Sequence, residues 1–406
     1  MKVLIIGAGV GGLASAITLA RAGHEVEVYE RADAPRLSGN GVLLFPNGTA
    51  LLRELGVDLD GLGARMDAIN GLAHDGRPAM TVRLAEIAAV HGSPILVSTR
   101  GRVLARLAAL VPEGTVRYGR RCVAVTERAG PCEPVTVTFA DGGQARGDAV
   151  IGADGHRSAV RAHLFGPDPA APTGDATWHG ITPVPGEFAN GHRVFSVFGT
   201  EGICVMHPVG DGLVYWAFEV PWTDGQAAPP PAGGGTAGPG APASPVAALR
   251  ARFGHWTAPV LPQLLESITD ADVGVFPHIL HRIPRTWGTG PVTLAGDAAH
   301  AVPPRLGMGL NQALEDAWVL GHALTGTGTP AERLRRYEQA RLPRIRRMRR
   351  LARMMGRRTV PAPPWLLRLL GDRLPATRLN LAQVGSLSNY LNRDLPAPPR
   401  PGGVPA

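Results

Sequence analysis

The chain has 406 residues, 44% of them apolar and 18% charged, a globular composition long enough for one large domain or two that share a core. Lys2 is the one lysine among 41 basic residues, which excludes chemistry built on a buried lysine amine: pyridoxal Schiff bases, lysine aldolases, the P-loop. Three cysteines, Cys122, Cys132 and Cys204, form neither a disulfide framework nor a metal spacing, so no metal is expected and a cytoplasmic location is.

The net charge of +8 is local. Residues 331–358 hold twelve arginines and two glutamates, and the rest of the chain is slightly acidic. A nucleic-acid binder spreads its charge over a face, so no nucleic-acid partner is expected. The arginine segment reads as a solvated helix with salt-bridging partners, or as a dock for an anionic partner or carrier-bound substrate.

Residues 3–20 carry no charge, a length that suggests a membrane span. Glycines at 7, 9, 11 and 12 interrupt them. The pattern predicts a strand at 2–6, a tight turn, a helix at 12–22 and a strand at 25–29 that ends in Glu30. That is a βαβ unit of a parallel sheet, and no membrane span is expected. Helices are predicted at 46–55 and 99–110, and strands at 115–118, 122–127, 135–139 and 149–152. From 176 to 220 the residues alternate, with strands at 193–198, 203–207 and 213–220, which suggests an antiparallel sheet covering a ligand. Residues 223–245 are Gly/Pro-rich and too apolar-poor to offset ordering entropy, so a mobile surface loop is expected. A buried strand at 292–295 and a helix at 309–324 follow. Thr329 and Pro330 are an N-cap and first helical residue for the arginine-rich helix, which Pro343 is expected to kink. Helical segments at 365–370 and 379–391 end the chain.

Three motifs carry chemistry. In Gly7-Ala8-Gly9-Val10-Gly11-Gly12, the first glycine permits the turn, the second admits a pyrophosphate to the backbone, and the third lets the helix pack on the strand. The helix end then offers free N–H groups to phosphate, and Glu30 stands where an acid accepts from a ribose. The second motif is Gly296-Asp297-Ala298-Ala299-His300. The third is Ile151-Gly152-Ala153-Asp154-Gly155, followed by Ser158 and Arg161. Each of the last two alone is compatible with an ordinary turn.

Together, and in this order, the three resemble the flavin-dependent aromatic hydroxylases. These are the group A flavoprotein monooxygenases with the p-hydroxybenzoate hydroxylase fold, and the salicylate hydroxylase-like enzymes are the nearest subgroup. The stretches GNGVLLFPNGTALLRELG at 39–56 and PRLGMGLNQALEDA at 304–317 extend the likeness over most of 1–350. The resemblance implies an α/β fold. A Rossmann-like FAD-binding domain (1–72, 97–172, 277–345) would interleave with an antiparallel-sheet substrate domain (73–96, 173–276), followed by C-terminal helices and tail (346–406).

By the same resemblance, Gly7, Gly9 and Gly12 would hold the pyrophosphate of non-covalent FAD and Glu30 its adenosine ribose. Arg100 would contact the cofactor near its phosphates. Asp154 would lie in a turn serving FAD and NAD(P)H, and Gly296-Asp297 would bind the ribityl chain. Gly307, Gly309, Leu310 and Asn311 would bring a helix N-terminus to the isoalloxazine ring, where its positive end favours the reduced flavin's negative charge. Pro303 and Pro304 would line the substrate side. On the predicted sheet, Trp178, His179, Phe195, Met206, His207 and Trp216 are candidate substrate neighbours. At most half are expected to face a ligand, because aromatics and Met on a sheet are commonly core. His179 and His207 are nominated as a general base for a phenol. Trp178-His179 replaces a Trp-Arg frequent in the family, which leaves the preferred substrate charge open. A flavin halogenase is excluded, since the buried lysine and the Trp-x-Trp-x-Ile-Pro signature that chemistry needs are absent.

The implied activity is that of a single-component monooxygenase. NADPH or NADH would reduce FAD, and a flavin C4a-hydroperoxide would hydroxylate or epoxidise an aromatic or polycyclic molecule of specialised metabolism, in a monomer or homodimer. Other flavoenzyme chemistry on this fold (Baeyer–Villiger-type oxygenation, reduction, redox-neutral cyclisation) and non-catalytic flavin binding stay open.

Overall fold

The computed structural model describes residues 1–35, 39–127, 134–167, 170–222, 244–355 and 375–395. Lys2–Ile6 is the centre of a five-stranded, all-parallel sheet in the order Val292–Leu294, Ala149–Gly152, Lys2–Ile6, Glu25–Tyr29, Val116–Arg117. Val3, Leu4, Ile5 and Val150 are fully buried because helices and a small sheet cover both faces, hence the unbroken apolar runs. The uncharged stretch is spent on the first strand, the glycine turn and the helix Val10–Arg21. That helix starts two residues before the expected position and packs against Gly309–Thr325. No helix among the described residues is long and apolar enough to cross a membrane.

Two three-stranded antiparallel sheets flank this layer. One joins Cys122–Thr126, Val135–Phe139 and Gln144–Gly147; the other joins Gly41–Leu44, Leu96–Thr99 and Gly63–Arg65. Cys122 and Cys204 are buried free thiols, and Cys132 lies outside the described residues.

The second layer is a seven-stranded sheet in the order Gly274–Leu280, Ala171–Pro183, Leu213–Pro221, Gly202–Gly210, Arg193–Gly199, Ala68–Ala73, Pro78–Arg83. It is not purely antiparallel as expected, because Arg193–Gly199 runs parallel to Ala68–Ala73. Its strands come from residues between Ala68 and Leu280.

This sheet separates two cores. One face packs on the dinucleotide layer through Val194, Val209, Tyr215 and Ala217. The other carries Val197, Cys204, Met206, Trp216 and Phe218, and is roofed by Pro245–Phe253, Leu261–Ser267 and Trp256. Phe218 packs tilted on Phe253 at 4.6 Å, and Phe253 meets Trp256 edge-on at 4.9 Å. Ser244 and Pro245, expected within the loop, instead cap and start a helix: the Ser244 hydroxyl accepts from Ala247 N–H. Residues 223–243, and the helical segment expected at 365–370, lie outside the described residues.

The arginine-rich helix Pro330–Met355 continues through Pro343. Its cations are turned inward more than a solvated helix would need. Arg333, Arg335, Arg336, Arg346 and Arg349 donate to backbone carbonyls of neighbouring segments. Arg344 pairs with Asp394 beyond the helix Ala376–Leu387.

Candidate active site

The glycine turn is built as its spacing implies. A methyl group at Gly12 would collide with the Gly7 carbonyl oxygen, and one at Gly7, which sits at φ 105°, would collide with Ala153 O. The turn therefore closes on its own helix only with glycine at 12, and on the neighbouring Ala153 segment only with glycine at 7. Gly9 differs: a methyl there meets nothing within 4 Å. It is the N-cap of Val10–Arg21, and no side chain caps that helix. Open space before uncapped N–H groups fits a pyrophosphate. Beside it, the Glu30 carboxylate accepts from Ala8 N–H and Ala32 N–H, both at 2.9 Å, so the acid is fixed at the rim of the turn.

Ala313 ties the distant motifs together. A Cβ at Gly11 would stand 3.4 Å from its methyl and one at Gly296 3.6 Å. The first turns of Gly309–Thr325 thus lie against both the glycine turn and the Gly296-Asp297 turn. That helix too lacks a side-chain cap. Gly307 precedes it in the left-handed region at φ 62°, and Gly309 and Leu310 begin it half-buried. Asp297 is exposed at the strand end, open to a polyol. These features fit FAD: anion-binding helix ends at two points and carboxylates at two others.

Other nominated residues sit in the same region with their side chains committed elsewhere. Asp154 accepts from Ser158 Oγ and from Ala159 N–H (2.7 Å), and so caps the helix Ala159–Phe165. Burial raises its carboxyl above the usual range. Asn311 accepts from Phe45 N–H (3.0 Å) and donates to Leu43 O (2.9 Å), stapling its helix to the 43–45 segment. Arg100 is exposed, with its Cβ against Gly39. Pro303 is buried and Pro304 exposed.

Cross-strand register decides the substrate candidates. Phe195 pairs with Met206, Met206 with Trp216 and Trp178 with Phe218. All therefore project to the roofed face, away from the dinucleotide layer. Met206 and Trp216 are fully buried there, Trp216 donates to Thr182 Oγ1, and Phe195 stacks on Phe188 at 4.8 Å. Trp178, Phe195, Met206 and Trp216 are second-core residues, not pocket walls. His179 and His207 project to the opposite face, toward the dinucleotide layer, on either side of Tyr215 at 6.4 and 5.8 Å between rings. His179 lines a cleft of ≈ 490 Å³ with Gly39, Asn40, Ile181 and Gly274 among its walls. Burial lowers the pKa of both histidines, His207 to about 4. Both rings are neutral at pH 7, and His207 is a weak base, better suited to hydrogen bonding than to proton removal.

Three further groups support the site, of which the sequence had pointed only to Arg161. Arg305, on the segment before Gly307 with its side chain almost wholly buried, is held by Asp175 (2.7 Å) and Glu219 from the sheet. Arg161, fully buried, donates to Ala298 O (3.1 Å) and Arg282 O (2.8 Å), so it joins the Asp154 motif to the Asp297 motif. Asp316, fully buried, accepts from Gly296 N–H (2.8 Å), His300 Nε2 (2.7 Å) and Arg341 Nε (2.6 Å). It fixes the turn that presents Asp297, and those donors keep its carboxyl below the usual range against the opposing effect of burial.

A dinucleotide cradle whose helix ends and carboxylates lie under a separate sheet defines a flavoprotein that presents a small molecule to its cofactor. The comparisons identify the group. The sequence profile described as "FAD binding domain" matches residues 1–232 and 269–352. A 3-amino-4-hydroxybenzoate 2-monooxygenase of Streptomyces platensis is 34% identical over 367 residues, 87% of each chain. An FAD-dependent urate hydroxylase of Klebsiella oxytoca is 30% identical over 355 residues, 85% of this chain and 87% of its own. Klebsiella pneumoniae HpxO, solved with FAD and uric acid, superposes with a TM-score of 0.84 at 26% identity, over 95% of this chain and 97% of that one. The chain belongs to this FAD-binding family and is an FAD-dependent aromatic monooxygenase, an oxidoreductase with the group A flavoprotein hydroxylase fold.

Proposed function

We propose that the enzyme consumes NADPH or NADH and O₂ to hydroxylate a small electron-rich ring bearing a hydroxyl or amino group, in the cytoplasm and in specialised metabolism. The observation that carries this is the convergence of the glycine turn, the Asp297 turn and the uncapped Gly309–Thr325 helix on Ala313, with the neutral His179, His207 and Tyr215 on the sheet face turned toward that layer. Similar proteins are named for 3-amino-4-hydroxybenzoate, urate and 6-hydroxynicotinate, all polar, electron-rich rings.

Bound FAD would accept a hydride from the nicotinamide and activate O₂. The chain's residues would do the remainder. Gly9 and the N-terminus of Val10–Arg21 would hold the pyrophosphate, Glu30 the ribose and Asp297 the ribityl hydroxyls. The positive end of Gly309–Thr325 would stabilise negative charge on the ring. His179 and Tyr215 would orient the substrate by hydrogen bonds, and the sheet would exclude water.

The test is a visible spectrum of the purified protein, then anaerobic NADPH or NADH with and without 3-amino-4-hydroxybenzoate, urate and 6-hydroxynicotinate. Bound flavin that bleaches faster with one ring, followed by incorporation of one atom from labelled O₂, is the expected result. Bleaching without oxygen incorporation would make it a reductase. Oxygen inserted into the ring skeleton would make it a Baeyer–Villiger enzyme. Failure to take up FAD would end the proposal.

A further inference from the structure

Arg305 lies in the loop that leads into the Gly309–Thr325 helix, yet its side chain is only 6% exposed and its partners come from the other layer. Asp175 is on Ala171–Pro183 and Glu219 on the neighbouring Leu213–Pro221. Thr177 pairs with Glu219 and His179 with Ala217. Asp175, Glu219 and His179 therefore share the face turned toward the dinucleotide layer.

His278 completes the group. It is fully buried, bonded to Thr177 Oγ1 at 2.5 Å, and held neutral because burial and the nearby guanidinium push it to about 3. Asp175, Glu219 and His278 offer donor atoms within 4.8 Å of one another, a spacing suited to a cation. The chain supplies that cation itself, as Arg305. Burial raises both carboxyls, Glu219 to about 7, and Arg305 opposes the rise. Charged groups buried this far are rarely the most stable filling for their volume, and a guanidinium held by two carboxylates has a defined length and direction. At the other end of the same face, Tyr215 packs so tightly under Gly41 that a methyl there would collide with its ring. Two posts therefore join the layers, with His179 and Ala217 between them.

We propose that Arg305 is a positioning residue of the oxygenation site: clamped by Asp175 and Glu219, it sets the separation between the 303–308 loop, where the flavin ring rests, and the sheet face that floors the substrate slot. This rests on the placement of FAD proposed above. The clamp acts by closing one end of the slot to water, and it makes no contact with the reacting atoms.

The test uses the FAD-loaded enzyme and two variants. Arg305→Met combined with Asp175→Asn and Glu219→Gln removes the clamp without stranding a buried charge. Arg305→Lys keeps a cation but loses the fork. The readouts are thermal stability of the apoprotein, the FAD dissociation constant, the vibrational shoulders of the visible flavin band, and quenching of flavin fluorescence by acrylamide. In the triple variant the expected result is near-native apoprotein stability and retained FAD, with blurred shoulders and several-fold stronger quenching. Arg305→Lys should fall between. Native shoulders and native quenching in FAD-loaded variants would overturn the proposal and leave the cluster as mere packing. If the triple variant does not fold, Arg305→Lys decides alone, by the same two signatures. Wild-type protein that takes up no FAD would overturn the placement of the cofactor and this inference with it, and that is seen before any variant is made.

Discussion

Gly9→Ala separates cofactor binding from folding. Gly9 has φ −75° and ψ −178°, extended backbone that alanine adopts freely, and its Cβ would touch nothing within 4 Å. Alanine is a poorer N-cap than glycine by up to about 1 kcal/mol, while the stiffer unfolded chain returns about 0.4–1 kcal/mol. The apoprotein should thus keep its stability to within about 1 kcal/mol. The methyl, however, enters the space through which a pyrophosphate would reach the helix N-terminus. Losing one charge-assisted hydrogen bond costs about 1.5–3 kcal/mol, so FAD affinity should fall about 10- to 100-fold. Gly12→Ala is the contrast. Its Cβ would collide with the Gly7 carbonyl, a backbone atom that cannot swing away, so overpacking of about 1–3 kcal/mol or more is expected. Stability and FAD binding should then fall together. Thermal unfolding of the apoproteins and titration of FAD fluorescence measure the two quantities. A Gly9→Ala protein that binds FAD as tightly as wild type would refute the placement of the pyrophosphate.

Two further outcomes follow from buried charge. Arg341→Met leaves Asp316 and Glu315, both fully buried, without their cation, and should cost about 3–5 kcal/mol in urea unfolding; a loss below about 1 kcal/mol would show the network relaxes. Glu219, pushed up to about 7, binds its proton more tightly folded than unfolded. Its favourable contribution is complete below the ordinary glutamate pKa and is lost as pH rises through about 7, a change of about 3 kcal/mol. The buried His207 and His278, whose pKa values are lowered, act with the opposite sign, so the comparison is wild type against Glu219→Gln. The stability of wild type relative to the variant should decline between pH 5 and pH 8, and parallel pH curves would contradict it.

Where the chemistry is local in the chain, it was legible before any fold was known. The glycine turn is one example, because the collision at Gly12 is with the Gly7 carbonyl five residues earlier in the same turn, and that spacing states the requirement directly. Glu30 is another, since a strand's length sets where its end falls. Alternation in the second layer revealed strands at Arg193–Gly199, Gly202–Gly210 and Leu213–Pro221, but alternation is symmetric: it says that Trp216 and Tyr215 point opposite ways, not which one meets the ligand. Large apolar side chains suit a ligand wall and a second core equally. Only cross-strand register, and the packing of Pro245–Phe253 and Leu261–Ser267 on one face, assigned Trp178, Phe195, Met206 and Trp216 to that core and left His179 and His207 facing the dinucleotide layer. Arg305 and Asp316 were hidden for a related reason. Asp175 and Glu219 lie 130 and 86 residues from Arg305 in the sequence, and a buried ion pair between such positions leaves no periodic trace. Motif spacing therefore determined the glycine turn and the place of Glu30, while the sides of a sheet and the partners of a buried charge were decided by what the folded chain packed against them.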